Sequence, residues 1–171
     1  MPEITELTGR ASIGVKSWLP EHLSGDRAVE HEGRRLPSTV GAISPGDPRV
    51  LCLAPGDWLF VSDRLRGPQT QGGIRHRFGN ESLAAVDLSD ALAVIRIEGD
   101  DAREVLSKGC GLDFHVRHFP ANHCARTRFA QLPLVIECRE HPQAFELSVA
   151  RSYCSYLRSW LLDSAAEFTA P

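Results

Sequence analysis

The chain has 171 residues, 42% of them hydrophobic and 24% charged, with a formal net charge of −3. That length supports one well-buried core and falls short of two ordinary domains. The slightly acidic balance lacks the basic footprint of a nucleic-acid binder, and no apolar run approaches the roughly 20 residues that span a bilayer. The opening residues, MPEITELTGRASIG, show no basic start followed by an apolar block, so the expectation is a cytoplasmic protein without a secretory signal or membrane partner.

Residues 1–49 are rich in Gly, Pro, Ser and charge, as in LPEHLSGDRAVEHEGRRLP, and predict an extended, weakly ordered N-terminal arm laid out on another surface. Trp18 and Leu19 are candidate partner anchors within it, because buried aromatic side chains supply much of an interface's energy. Residues 50–171 read as one α+β domain. VLCLA and DWLFVS flank Pro55-Gly56 and predict a hairpin. Pro68, Gly72, Gly73 and Gly79 leave room for only a short helix before the strands SLAAVDLS and ALAVIRIE.

The next stretch, EGDDAREVLSKGC, is dense in acids: Glu98, Asp100, Asp101 and Glu104. Asp101 and Glu104 have the spacing of a capping box, with Asp in place of Ser or Thr. Ala102, Val105, Leu106 and Gly109 share one helical face, Lys108 meets the negative end of the helix dipole, and Gly109 suits a left-handed cap. A carboxylate at a helix start stabilises it by about 0.3–1 kcal/mol, so these acids need no metal to account for them.

HCARTRFAQ, PLVIECRE and QAFELSVA then predict a β-meander, the last with Phe145, Leu147 and Val149 inward and Glu146 and Ser148 outward. Ser152 is placed to cap a closing helix over 153–167, with Tyr153, Tyr156, Leu157, Trp160, Leu161, Ala165 and Phe168 at helical spacing. Strands with two segregated helices indicate an α+β fold with a mostly antiparallel sheet.

Few residues offer chemistry. Cysteines 52, 110, 124, 138 and 154 are scattered, with no Cys-x-x-Cys, and read as buried reduced thiols. His115, His118 and His123 are weak metal candidates, since no helix places them on one face and Pro120 breaks the run. Arg126 and Arg128 share one face of a strand and are candidate partner contacts. No nucleophile–base pair or phosphate loop is present, so neither a catalytic nor a cofactor-binding residue is assigned.

Three segments, APGDWLFVS, VDLSDALAVIRIEGDDAREVLSKGCGLDFHVRHF and ARSYCSYLRSWLLDSA, together resemble the gamma subunit of heterotetrameric sarcosine oxidase, from about Val50 to Ala166. The resemblance implies a fold similar to the folate-binding domain of the glycine-cleavage T-protein. It implies alpha, beta and delta partner subunits that hold FAD, FMN, NAD and zinc and use tetrahydrofolate as one-carbon acceptor. The gamma subunit itself is then a structural member of a complex that demethylates sarcosine or a related secondary amine. In the T-protein a Gly-Gly turn followed by paired Asp residues reaches the folate. The corresponding hairpin here, FAQLPLVIECRE, is expected to turn at Leu132-Pro133 and offers Glu137 within the strand where the T-protein has paired Asp residues. A stand-alone folate-binding or one-carbon protein of that fold is the alternative.

Overall fold

The computed structural model describes residues 2–18, 30–31, 34–64 and 83–168, with side chains throughout except at 30, 31, 34 and 83. Leu19 and the glycine-rich stretch from 65 to 82 lie outside the described residues. Two compact units are present, one formed by Met1–Thr8 with Ala91–Pro171 and the other by Gly9–Asp90.

The first unit is a five-stranded antiparallel sheet in the order β1-β9-β12-β11-β10. Its strands are β1 (Glu3–Leu7), β9 (Leu92–Glu98), β10 (His123–Phe129), β11 (Leu132–Cys138) and β12 (Ala144–Ala150). Strand alternation puts Ala93, Ile95 and Ile97, Leu134 and Ile136, and Phe145, Leu147 and Val149 into one core. Helices α1 (Ala102–Gly109) and α2 (Cys154–Ala165) cover it with Val105, Leu106, Leu157 and Leu161, all fully buried. Burying each such leucine or valine stabilises by about 1.5–3 kcal/mol, which outweighs the fractions of a kcal/mol available from helix propensity.

The predicted α1 forms over the expected residues, with two differences at its ends. Asp101 occupies the N-cap position without a side-chain capping bond. Gly109 remains helical rather than left-handed, and Cys110 after it is extended. For α2, Ser152 lies in a 3-10 turn over Arg151–Tyr153, and Tyr153 and Tyr156 are exposed, not inward. The buried face is Cys154, Leu157, Leu161 and Ala165.

The second unit is a sheet in the order β5-β6-β7-β2-β8. These strands are β2 (Ala11–Ser17), β5 (Ile43–Ser44), β6 (Arg49–Ala54), β7 (Asp57–Ser62) and β8 (Leu83–Asp87). The short strands β3 (Glu30–His31) and β4 (Arg34–Arg35) pair with each other as a separate two-stranded sheet. The predicted hairpin turns at Pro55-Gly56, with Gly56 at φ 71°. Both of its strands are buried almost end to end, which is why they read as continuous apolar runs rather than alternating ones. Trp58 anchors the unit, its indole N–H donating to Pro37 O at 2.8 Å.

The predicted arm over 1–49 and domain over 50–171 are corrected here. Glu3–Leu7 and Ala11–Ser17 are strands built into the two sheets, and the compact units divide the chain near residues 8 and 90. Strand β2 is only seven residues long with Gly14 at its centre, and its partners β7 and β8 lie more than 40 residues away. Local composition carries no trace of such pairing. The predicted turn at Leu132-Pro133 also moves, because Ala130 and Gln131 take the left-handed conformation, φ 47° and 69°, and Leu132 and Pro133 belong to β11. A two-residue hairpin of type I′ has positive φ at both central positions, as Ala130 and Gln131 do.

Candidate functional site

The sheet face of the first unit that points away from α1 and α2 is where polar chemistry collects. Glu137 and Glu146 sit directly opposite each other on β11 and β12. They are 2% and 0% exposed, so two carboxylates lie where alternation alone predicts solvent. Burying a carboxylate is expensive unless cations and donors meet it. Arg139 supplies the cation for both and a donor for one: its Nη1 donates to Glu137 Oε2 at 3.4 Å, and its Nε faces Glu146 Oε1 at 3.4 Å as a charge contact without a hydrogen bond. Arg96, opposite Glu146 on β9, adds a longer contact of 3.9 Å. Its Nε and Nη2 donate to Glu98 Oε2 at 2.9 and 2.6 Å. The result is a chain of alternating charge running across the sheet.

Beside that chain a cleft of about 260 Å³ is lined by Glu3, Thr5, Leu7, Arg96 and Glu98. Register places Glu3 opposite Glu98 and Thr5 opposite Arg96 across the β1–β9 pair. The Thr5 hydroxyl donates to Glu3 Oε1 at 3.3 Å.

A second polar device fixes the 111–122 loop. The Arg103 guanidinium, reaching out from α1, donates to the carbonyls of Phe114, Phe119 (3.1 Å) and Pro142 (2.5 Å) and lies 5.0 Å from the centre of the Phe145 ring. Phe114 and Phe119 are each 3% exposed and pack edge-on at 5.6 Å. The exposed loop residues are therefore held on a firm base.

The histidine candidates sit on and beside this loop. His115 and His118 are exposed with rings 6.2 Å apart, and Asp113 approaches His118 at 3.8 Å. His123 opens β10 and packs its ring against Phe119 instead. Among the described residues no three His, Cys, Asp or Glu side chains converge as a metal set. Arg126 and Arg128 are exposed on the same face of β10, and Trp18 is 66% exposed. Glu98, Asp100, Asp101 and Glu104 do not form a site; Glu98 is the partner of Arg96, Asp100 and Asp101 lead into α1, and Glu104 lies in its first turn.

Three thiols are pushed above the ordinary value of 9.0: Cys52, Cys138 and Cys154, in each case first by burial. At Cys138 the Arg103 guanidinium, 3.8 Å from Sγ, pulls the other way without prevailing. A thiol held protonated is a poor nucleophile.

Sequence reasoning missed Glu146 and Arg139. The signal was available in their positions: Glu146 alternates with three core residues of a strand whose every other position is also apolar or small. What it did not reveal is that the outward side of β12 is itself buried at Glu146 and Ser148.

Comparison with known proteins decides the family. The family model described as "Sarcosine oxidase, gamma subunit family" matches residues 26–167. The chain belongs to the sarcosine oxidase gamma subunit family. The sarcosine oxidase subunit gamma of Corynebacterium sp. strain U-96 is 30% identical over 141 residues, covering 81% of this chain and 67% of that one. The subunit gamma of strain P-1 is 26% identical over 170 residues, covering 98% and 82%. Among solved structures, the heterotetrameric sarcosine oxidase of Corynebacterium sp. U-96, in complex with pyrrole 2-carboxylate, matches with a TM-score of 0.84 and 26% identity over 99% of this chain and 86% of that chain. The glycine-cleavage aminomethyltransferase T of Bartonella henselae shares the fold, with a TM-score of 0.65 and 15% identity over 94% of this chain and 45% of that chain. The α+β, T-protein-like architecture expected of a gamma-family member is the one observed.

Proposed function

We propose that this chain is the gamma subunit of a heterotetrameric sarcosine-oxidase-type flavoenzyme complex and acts there in assembly and stabilisation, not in the chemistry. The observation that carries the reading is the likeness, along 99% of the chain, to a chain of a heterotetrameric sarcosine oxidase. Its non-catalytic part is supported by the disposition of charge: Glu137 and Glu146 are buried and ion-paired with Arg139, which suits them to hold strands together rather than to exchange protons with a substrate.

In this reading the alpha, beta and delta subunits are the partners and hold FAD, FMN, NAD and zinc. They carry out the oxidative demethylation of sarcosine or a related secondary amine, with tetrahydrofolate as one-carbon acceptor. The complex is cytoplasmic. Trp18, Leu19, Arg126 and Arg128 are the proposed partner contacts, Trp18 and the two arginines by their exposure and residue type.

The test is affinity capture of the tagged chain from its native cells, with mass spectrometry and an absorption scan of the eluate. Flavoprotein subunits and a yellow chromophore should co-elute. A colourless chain that binds tetrahydrofolate by itself would overturn the reading in favour of a stand-alone folate protein.

A further inference from the structure

The sheet of the first unit ends at β1, whose outer edge pairs with no other strand among the described residues. Glu3, Thr5 and Glu6 on it are exposed. Alternate residues of such an edge project backbone N–H and C=O groups outward, ready to receive another strand. The cleft lined by Glu3, Thr5, Leu7, Arg96 and Glu98 lies on the face beside this edge.

The charges say what kind of strand fits. Glu3 and Glu98 are directly opposite each other, and like charges in that position are destabilising. Arg96 relieves the pair on one side only, since its guanidinium bonds to Glu98 at 2.9 and 2.6 Å. A cation delivered to Glu3 removes the remaining repulsion. Glu6, on the opposite face of the same strand, extends the acidic character along the edge.

We propose that β1 receives an extended segment of a partner subunit by strand addition, with a lysine or arginine of that segment entering the cleft to pair with Glu3. The inference rests on the reading of this chain as a subunit of a complex. Main-chain hydrogen bonds supply affinity in this mode and the side-chain pocket supplies selectivity. A second copy of β1 is the wrong occupant, because it brings Glu3 and Glu6 toward the same acids.

Two measurements test it, both on the full chain with its co-expressed partner subunits. In the assembled complex, amide hydrogen exchange across residues 2–8 should slow at least about tenfold relative to the free chain. Capture of the flavoprotein subunits should fall about tenfold for the double variant Glu3→Lys/Glu6→Lys, and less for Glu3→Gln. Unchanged exchange, with capture undiminished by charge reversal, overturns strand addition while leaving the subunit reading standing. Failure of the unaltered chain to capture any flavoprotein overturns both. The exchange result stands alone if the double variant misfolds, and protection arising from dimers of the free chain would identify a second copy as the occupant and overturn the proposal.

Discussion

A Cβ on Gly109 would lie 2.7 Å from Cη2 of Trp160, and as close to Cζ of Phe129. The two rings meet edge-on at 4.8 Å, so the last turn of α1 is pressed into an aromatic corner shared by α2 and β10. The Gly109 carbonyl also accepts the Ala130 N–H at 2.8 Å, tying the β10–β11 turn to the same point.

Gly109→Ala therefore tests packing against propensity. Propensity alone favours alanine by about 1 kcal/mol, whereas forcing a methyl into a filled site costs about 1–3 kcal/mol. Packing should win, and the thermal midpoint should fall by about 2–8 °C. A rise in the midpoint would mean that the corner is looser than its distances indicate.

Arg103 should resist its most conservative replacement. Lysine keeps the charge but lacks the planar fork that reaches the carbonyls of Phe114, Phe119 and Pro142 together. Arg103→Lys should lower stability by about 1–3 kcal/mol and make the 111–122 loop the first site of limited proteolysis. Equal cleavage of variant and parent in that loop would remove the clamp from the account.

The buried thiols set an alkaline limit. Each has its protonated form favoured in the folded chain, so this contribution is full below the ordinary value of 9.0 and is lost as pH rises through the higher folded value. Unfolding midpoints should thus decline above about pH 9. Iodoacetamide at neutral pH should label half-buried Cys110 ahead of Cys52, Cys138 and Cys154, as followed by mass spectrometry. Preferential labelling of Cys138 would contradict its placement.

Where the pattern was local, the sequence was legible. The hairpin follows from the Pro55-Gly56 turn between two apolar runs, and α1 and the inward row Phe145, Leu147 and Val149 follow from periods of 3.6 and two. What stayed hidden was non-local. Strands β1 and β2 look like an arm because their partners are far along the chain, and Gly109 looks like a cap because the rings it admits come from β10 and α2. Glu146 reads as an outward residue because alternation reports which face a side chain takes, not whether that face is covered. The site suffered most, since it is built of residues whose partners lie on other strands.

The central claim is that this chain supports assembly without taking part in catalysis, and its buried carboxylates give the sharpest test. The double variant Glu137→Gln/Glu146→Gln removes both charges while keeping side-chain size, and leaves Arg139 without its two carboxylate partners. Breaking such a buried pair costs up to about 3–5 kcal/mol. The measurement is turnover per assembled flavin, alongside the yield of assembled complex, for the complex built with this variant. The account predicts a lower yield with turnover per flavin unchanged. A tenfold or greater loss of turnover in fully assembled complex would contradict it and place these carboxylates in the chemistry.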